Sequence, residues 1–167
     1  MIKYIMIYVT KSPKETQELA GFLLGKFSKI ISKKALVVAL EGELGAGKTT
    51  LVQGLAKALK IKAKIKSPTF TLIKNYPITN YELRIRKVIR NPQSAIRKFN
   101  NLYHLDCYRL RDHKDLEILC SKEILNDPRN IVLIEWSDRV KKILPKKHIK
   151  IHIDHIDKNV RKIEVKS

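Results

Sequence analysis

The stretch Ala35–Leu40, ALVVAL, runs through Glu41 into Gly42–Thr49, GELGAGKT, and the reading of this junction decides the fold. A continuous apolar run is how a strand covered on both faces of a parallel sheet reads. The octet after it matches GxxxxGK[ST] at every position. Its small residues let backbone amides turn inward and approach an anion with no side chain in the way. The helix that begins at Thr49 aims its positive end at the same point. Lys48 is the side chain that reaches the outer phosphates, and the Thr49 hydroxyl is placed to ligate magnesium. Alone, the octet could be a glycine-rich turn without a ligand. The buried strand before it and the amphipathic helix after it, Thr49–Leu59, supply the context that the motif requires.

Working outward, Ile2–Val9 reads as a strand. Ser12-Pro13-Lys14-Glu15 is a helix start, with Ser as N-cap, Pro at the first helical position and Glu three after the cap. Leu19, Phe22, Leu23, Phe27 and Ile30 recur at helical spacing and carry that helix to about residue 31. Downstream, Lys62–Asn75 reads as a strand entered through Ser67-Pro68, Asn101–Leu110 as an alternating strand, Asp115–Leu125 as a helix and Ile131–Trp136 as a second buried strand. Ile149–Ile153 and Val160–Val165 alternate apolar and polar around Asp157-Lys158-Asn159, an antiparallel hairpin. The β-α-β order predicts an α/β fold. It is a three-layer P-loop NTPase-like domain with a mixed, mostly parallel sheet and a C-terminal hairpin, one domain over 1–167.

Composition bounds the rest. Hydrophobic residues make up 44% of 167, so wholesale disorder is excluded. No apolar run reaches the ~18 residues of a membrane span. The two cysteines, Cys107 and Cys120, form neither a CxxC pair nor a disulfide framework, which suits a reducing cytoplasm. Lys and Arg number 35 against 16 acids, a net +19 that attracts polyanions, nucleic acid above all. The 26 Lys and 22 Ile are also what an AT-rich coding sequence would produce. The segment at about 77–100 is strongly basic, with Arg84, Arg86, Lys87, Arg90, Arg97 and Lys98 against Glu82 alone.

A magnesium site needs an acid at the end of another buried strand, and Glu135 after Ile131–Ile134 fits. Asp106, on its alternating strand, is a second candidate that composition alone would call structural. The absence of an NKxD pattern favours adenine over guanine. His148, His152 and His155 do not share one face and read as a solvated strand rather than a zinc site. Cys107 reads as a small buried residue. No arginine finger is evident, although Arg109 and Arg111 are near in sequence. A nucleoside or small-molecule kinase with residues 84–98 as a lid, and a non-enzymatic RNA-binding module, are the alternatives.

GELGAGKTTLVQGLAKAL, SPTFTLIKNY, LYHLDCYRL and IVLIEWSDR, in this order and in so small a chain, resemble the TsaE (YjeE) family. The resemblance extends to the HIKIHID…VRKIEV hairpin. It implies an ATPase of tRNA threonylcarbamoyladenosine biosynthesis that binds ATP and Mg²⁺ and hydrolyses slowly alone. It implies the TsaB–TsaD pair as partners, acting on the adenosine beside the anticodon of ANN-decoding tRNAs. By the resemblance, Gly45, Ala46, Gly47, Lys48, Thr49 and Thr50 hold the phosphates, and Thr49 and Glu135 serve the metal. Ser67-Pro68-Thr69 form a switch-like loop, Asp106 orients water or acts as base, and Trp136 and Arg161 lie near the nucleotide. The adenine pocket falls around Thr10–Thr16. The basic insertion departs from the family pattern and is expected to touch tRNA or a partner.

Overall fold

The computed structural model describes residues 5–30, 32–79, 99–110, 122–142 and 144–167. In chain order they form β1 (Ile5–Thr10), α1 (Pro13–Phe27), β2 (Leu36–Glu41), α2 (Lys48–Ala58), β3 (Ile73–Pro77) and β4 (Asn101–Asp106). There follow α3 (Lys122–Asn126), β5 (Asn130–Glu135), a 3₁₀ turn (Ser137–Val140), β6 (Ile149–His155) and β7 (Arg161–Lys166). The seven strands make one sheet in the order β1-β7-β6-β2-β5-β4-β3. β6, β2, β5 and β4 pair in parallel, and antiparallel pairings add β3 at one side and β7 then β1 at the other. Five of the seven strands therefore point the same way, the mixed and mostly parallel arrangement that the sequence predicts.

Every residue of β2 and β5 is buried, which is why both read as unbroken apolar runs. Alternation along them separates two cores. Leu36, Val38, Leu40, Ile131 and Leu133 pack under α1 and α2. Ala35, Val37, Val132 and Ile134 face the other way, where Leu105, Cys107 and Val140 join them and Ile124 and Leu125 of α3 pack on top.

The helix start at Ser12 forms as its residue types demand. Ser12 Oγ accepts from the Glu15 N–H at 3.1 Å, the Glu15 carboxylate accepts from the Lys11 N–H at 2.8 Å, and Pro13 occupies the first helical turn. α1 and α2 cross at Gly54, where an added Cβ would lie 2.5 Å from Gln17 Cα and 2.6 Å from Gln17 O. Backbone cannot yield as a side chain can. Gly54→Ala is therefore expected to destabilise by about 1–3 kcal/mol, despite the better helix propensity of alanine. Denaturant midpoints at unchanged slope check this.

The strand expected over Lys62–Asn75 is shorter than its composition suggests. Only Ile73–Pro77 is extended, and Pro68–Leu72 form a tight turn. The Thr71 and Leu72 amides both donate to Pro68 O, and Leu72 takes φ +60°. Thr69 and Thr71 have strand-like side chains, but hydroxyl bonds to β4 hold this segment in a turn. The helix expected over Asp115–Leu125 is described only from Lys122. Most of the basic insertion at 77–100 lies outside the described residues. No helix among the described residues is long and apolar enough to cross a membrane.

Candidate functional site

The carboxyl ends of β2, β5 and β4 meet at one pole of the sheet. In open α/β sheets this is where ligands bind. The loop leaving β2 is folded by glycines in conformations that other residues resist, with Gly42 at φ +135° and Gly47 at φ +105°. At Gly42 space decides as well, because a Cβ there would lie 2.4 Å from Ile153 O. Gly47 is the N-cap of α2 and provides no side-chain cap, so the first turn of α2 keeps its amides for a ligand. Gly45, Ala46 and Thr50 complete the loop and the start of the helix.

Lys48 is buried, and its Nζ donates to Gly42 O at 2.6 Å and Glu43 O at 2.8 Å. It also sits 3.8 Å from the centroid of the Trp136 ring. Burial pushes the ammonium below its ordinary pKa, and the charges of Glu135, Asp106 and Asp138 oppose that shift. Trp136 adopts φ +59°, an uncommon backbone state for a bulky residue, and its ring also packs 5.0 Å from Tyr108. This sharp bend directly after Glu135 is what brings the indole to Lys48.

Glu135 ends β5, nearly wholly buried, and is the register neighbour of Asp106 on β4. Their hydrogen bonds are separate. Thr49 Oγ1 lies 3.0 and 3.1 Å from the two oxygens of Glu135. His104 Nε2 lies 2.7 Å from Oε1 of the same carboxylate. Asp106 Oδ2 accepts from the hydroxyls of Ser67 and, at 2.8 Å, Thr69, while Oδ1 accepts from the Tyr108 N–H at 3.0 Å. Pro68 between them closes the turn through its carbonyl. On that turn Phe70 is 83% exposed, with the Arg109 guanidinium 4.4 Å from its ring centroid.

Arg161, at the start of β7, reaches across to the loop, with Nε donating to Ala46 O at 2.9 Å. Beside it a small pocket opens between Ser12, Pro13 and Thr16 of the α1 entry, Gly47 and Thr50 of the loop, and Asn159 of the hairpin. Each sequence-selected site residue thus lies at this one pole. Sequence reasoning passed over His104, because a lone histidine on an apolar-facing strand position reads as core. It also passed over the Arg109–Phe70 stack, which joins two segments far apart in the chain. The spacing HxD in HLDCYRL was the available signal for His104, since alternate strand residues share a face.

The family described as threonylcarbamoyl adenosine biosynthesis protein TsaE matches residues 10–163. The tRNA threonylcarbamoyladenosine biosynthesis protein TsaE of Nostoc sp. is 38% identical over 162 residues, 96% of this chain and 85% of that protein. The protein of the same name from Haemophilus influenzae is 36% identical over 144 residues, 84% of this chain and 78% of that one. Among solved structures, Bacillus subtilis YdiB superposes with a TM-score of 0.65 at 25% identity, covering 100% of this chain and 88% of its own. With a family match spanning nearly every described element and the phosphate loop at its centre, the chain belongs to the TsaE family.

Proposed function

We propose that this protein is a Mg²⁺-dependent ATPase of the cytoplasm that supports threonylcarbamoylation of the adenosine beside the anticodon in ANN-decoding tRNAs, together with TsaB and TsaD. It acts as one domain, and its basic insertion at 77–100 touches tRNA or the partner surface. The observation that carries the reading is the contact of Thr49 with Glu135 at the mouth of a complete phosphate loop. A hydroxyl and a carboxylate are hard oxygen donors, the set that magnesium takes beside phosphate oxygens and water, so these residues fit the cation. The bound cation would supply charge neutralisation on the phosphates.

The chain's own groups do the rest. The α2 amides and Lys48 surround the phosphates, Lys48 exchanging its two loop carbonyls for phosphate oxygens. The adenine side falls in the pocket between the α1 entry and the hairpin, with Arg161 holding the loop carbonyls from behind. Asp106 orients the attacking water. Its free carboxylate lone pairs are aimed by two hydroxyls and one amide, so little reorganisation is needed at the moment of reaction. The same hydroxyls tie Asp106 to the Ser67–Thr69 turn, so a change at the outer phosphate passes to a surface turn that a partner can read.

The test is ATP turnover by the purified protein alone and with its cognate TsaB–TsaD pair and tRNA, with Glu135→Ala alongside. Slow solitary hydrolysis that rises with the partners, and is lost in Glu135→Ala, is the expected result. Turnover indifferent to the partners would overturn the coupled role and leave only a nucleotide-binding loop.

A further inference from the structure

One buried imidazole takes no part in the chemistry above. His104 is fully buried on β4, two residues after Leu102 and on the same face, which packs under α1 and α2. Its Nε2 bonds Oε1 of Glu135 at 2.7 Å, and its buried Nδ1 meets no hydrogen-bond partner. Leucine would fill such a place without leaving a ring nitrogen unpartnered, so the bond to Glu135 is what the imidazole is there to make. A carboxylate oxygen only accepts, so Nε2 is the donor of this bond. Oε1 is thereby engaged by both His104 and Thr49, while Oε2 has Thr49 alone.

We propose that His104 is a positioning residue of the magnesium site. Its Nε2–H holds Oε1 of Glu135 and turns the carboxylate so that Oε2 is offered to the cation beside the Thr49 hydroxyl. The inference rests on the magnesium reading above and adds the group that orients the acidic ligand. Outer partners of this kind typically contribute 10–100-fold in metal affinity.

The probe is Mn²⁺ with ADP, read as loss of the free Mn²⁺ electron paramagnetic resonance signal, with ADP affinity in EDTA as the metal-free control. His104→Phe keeps a ring and removes the N–H. It is expected to weaken Mn²⁺ uptake by about 10–100-fold while leaving ADP affinity in EDTA unchanged. His104→Gln, whose amide N–H reaches about as far as Nε2, is expected to return uptake to within a few-fold of wild type. Should His104→Phe fail to fold, His104→Asn, too short to reach Glu135, carries the same expectation. Uptake by the folded Phe or Asn variant within twofold of wild type overturns the proposal. So does equal weakening in the Gln variant, which would make the ring a matter of packing alone. Wild type that takes up no Mn²⁺ with ADP is a different failure: there the magnesium reading falls first and this inference with it.

Discussion

Lys48→Ala is expected to lower ATP turnover by about 10²–10³-fold at saturating nucleotide, measured as phosphate release under steady state. The ammonium is the one loop side chain with a formal positive charge, and it is held in place before any ligand arrives. The carbonyls of Gly42 and Glu43 accept from it, and the Trp136 ring lies 3.8 Å away. Lys48→Arg is not expected to rescue, because a planar guanidinium needs more room than a slot that leaves the side chain 4% exposed. Trp136 is the single tryptophan in the chain, so its emission reports the loss of the cation directly. Stability gives an independent check. Burial lowers the Lys48 pKa below 10.5, so between that lowered value and 10.5 the unfolded chain binds more protons than the folded one. Raising pH through this window stabilises wild type relative to Lys48→Ala.

Asp106→Asn is expected to lower kcat by about 10²–10⁴-fold with nucleotide affinity held within a few-fold. The substitution preserves shape. With its amide oxygen in the place of Oδ2 the side chain still accepts from both the Ser67 and Thr69 hydroxyls, and only the bond from the Tyr108 N–H, which then meets the amide NH₂, is given up. The Ser67–Leu72 turn therefore survives, and what is lost is the anionic acceptor to which we assign the orientation of water. A loss in kcat without a matching rise in KM separates this role from nucleotide binding. Turnover within threefold of wild type would reduce Asp106 to a fastener of the turn.

The part of the molecule most legible in the sequence was the part with the least freedom. ALVVAL and IVLIEW have no polar face, so they had to be central strands, and an octet with three glycines between a strand and a helix had one use. The hairpin of β6 and β7 was equally plain, because its alternation sets Ile151 and Ile153 opposite Val165 and Ile163. Pro68–Leu72 was misread as strand because its threonines favour extended structure. The Thr69 hydroxyl instead serves Asp106, thirty-seven residues away, and no local pattern announces that partner. Trp136 was selected by resemblance alone. Its use depends on a left-handed backbone bend that a tryptophan rarely adopts and no composition signals. His104 was hidden for the opposite reason: its position looks like ordinary core, and only the neighbouring strand reveals the carboxylate beside it.

The pairing of β1 with β7 bears on how the molecule comes to exist in a cell. Synthesis delivers β1 first of the described strands and β7 last, yet the two are neighbours in the sheet. A nascent chain still lacking β7 carries Met6 and Tyr8, which pack against the core in the finished sheet, on a strand with no partner, and its phosphate loop has no Arg161 behind it. Assembly of this edge therefore waits for the hairpin to leave the ribosome. A chaperone that covers the first strand until translation has passed residue 166 would protect the protein during its most aggregation-prone interval.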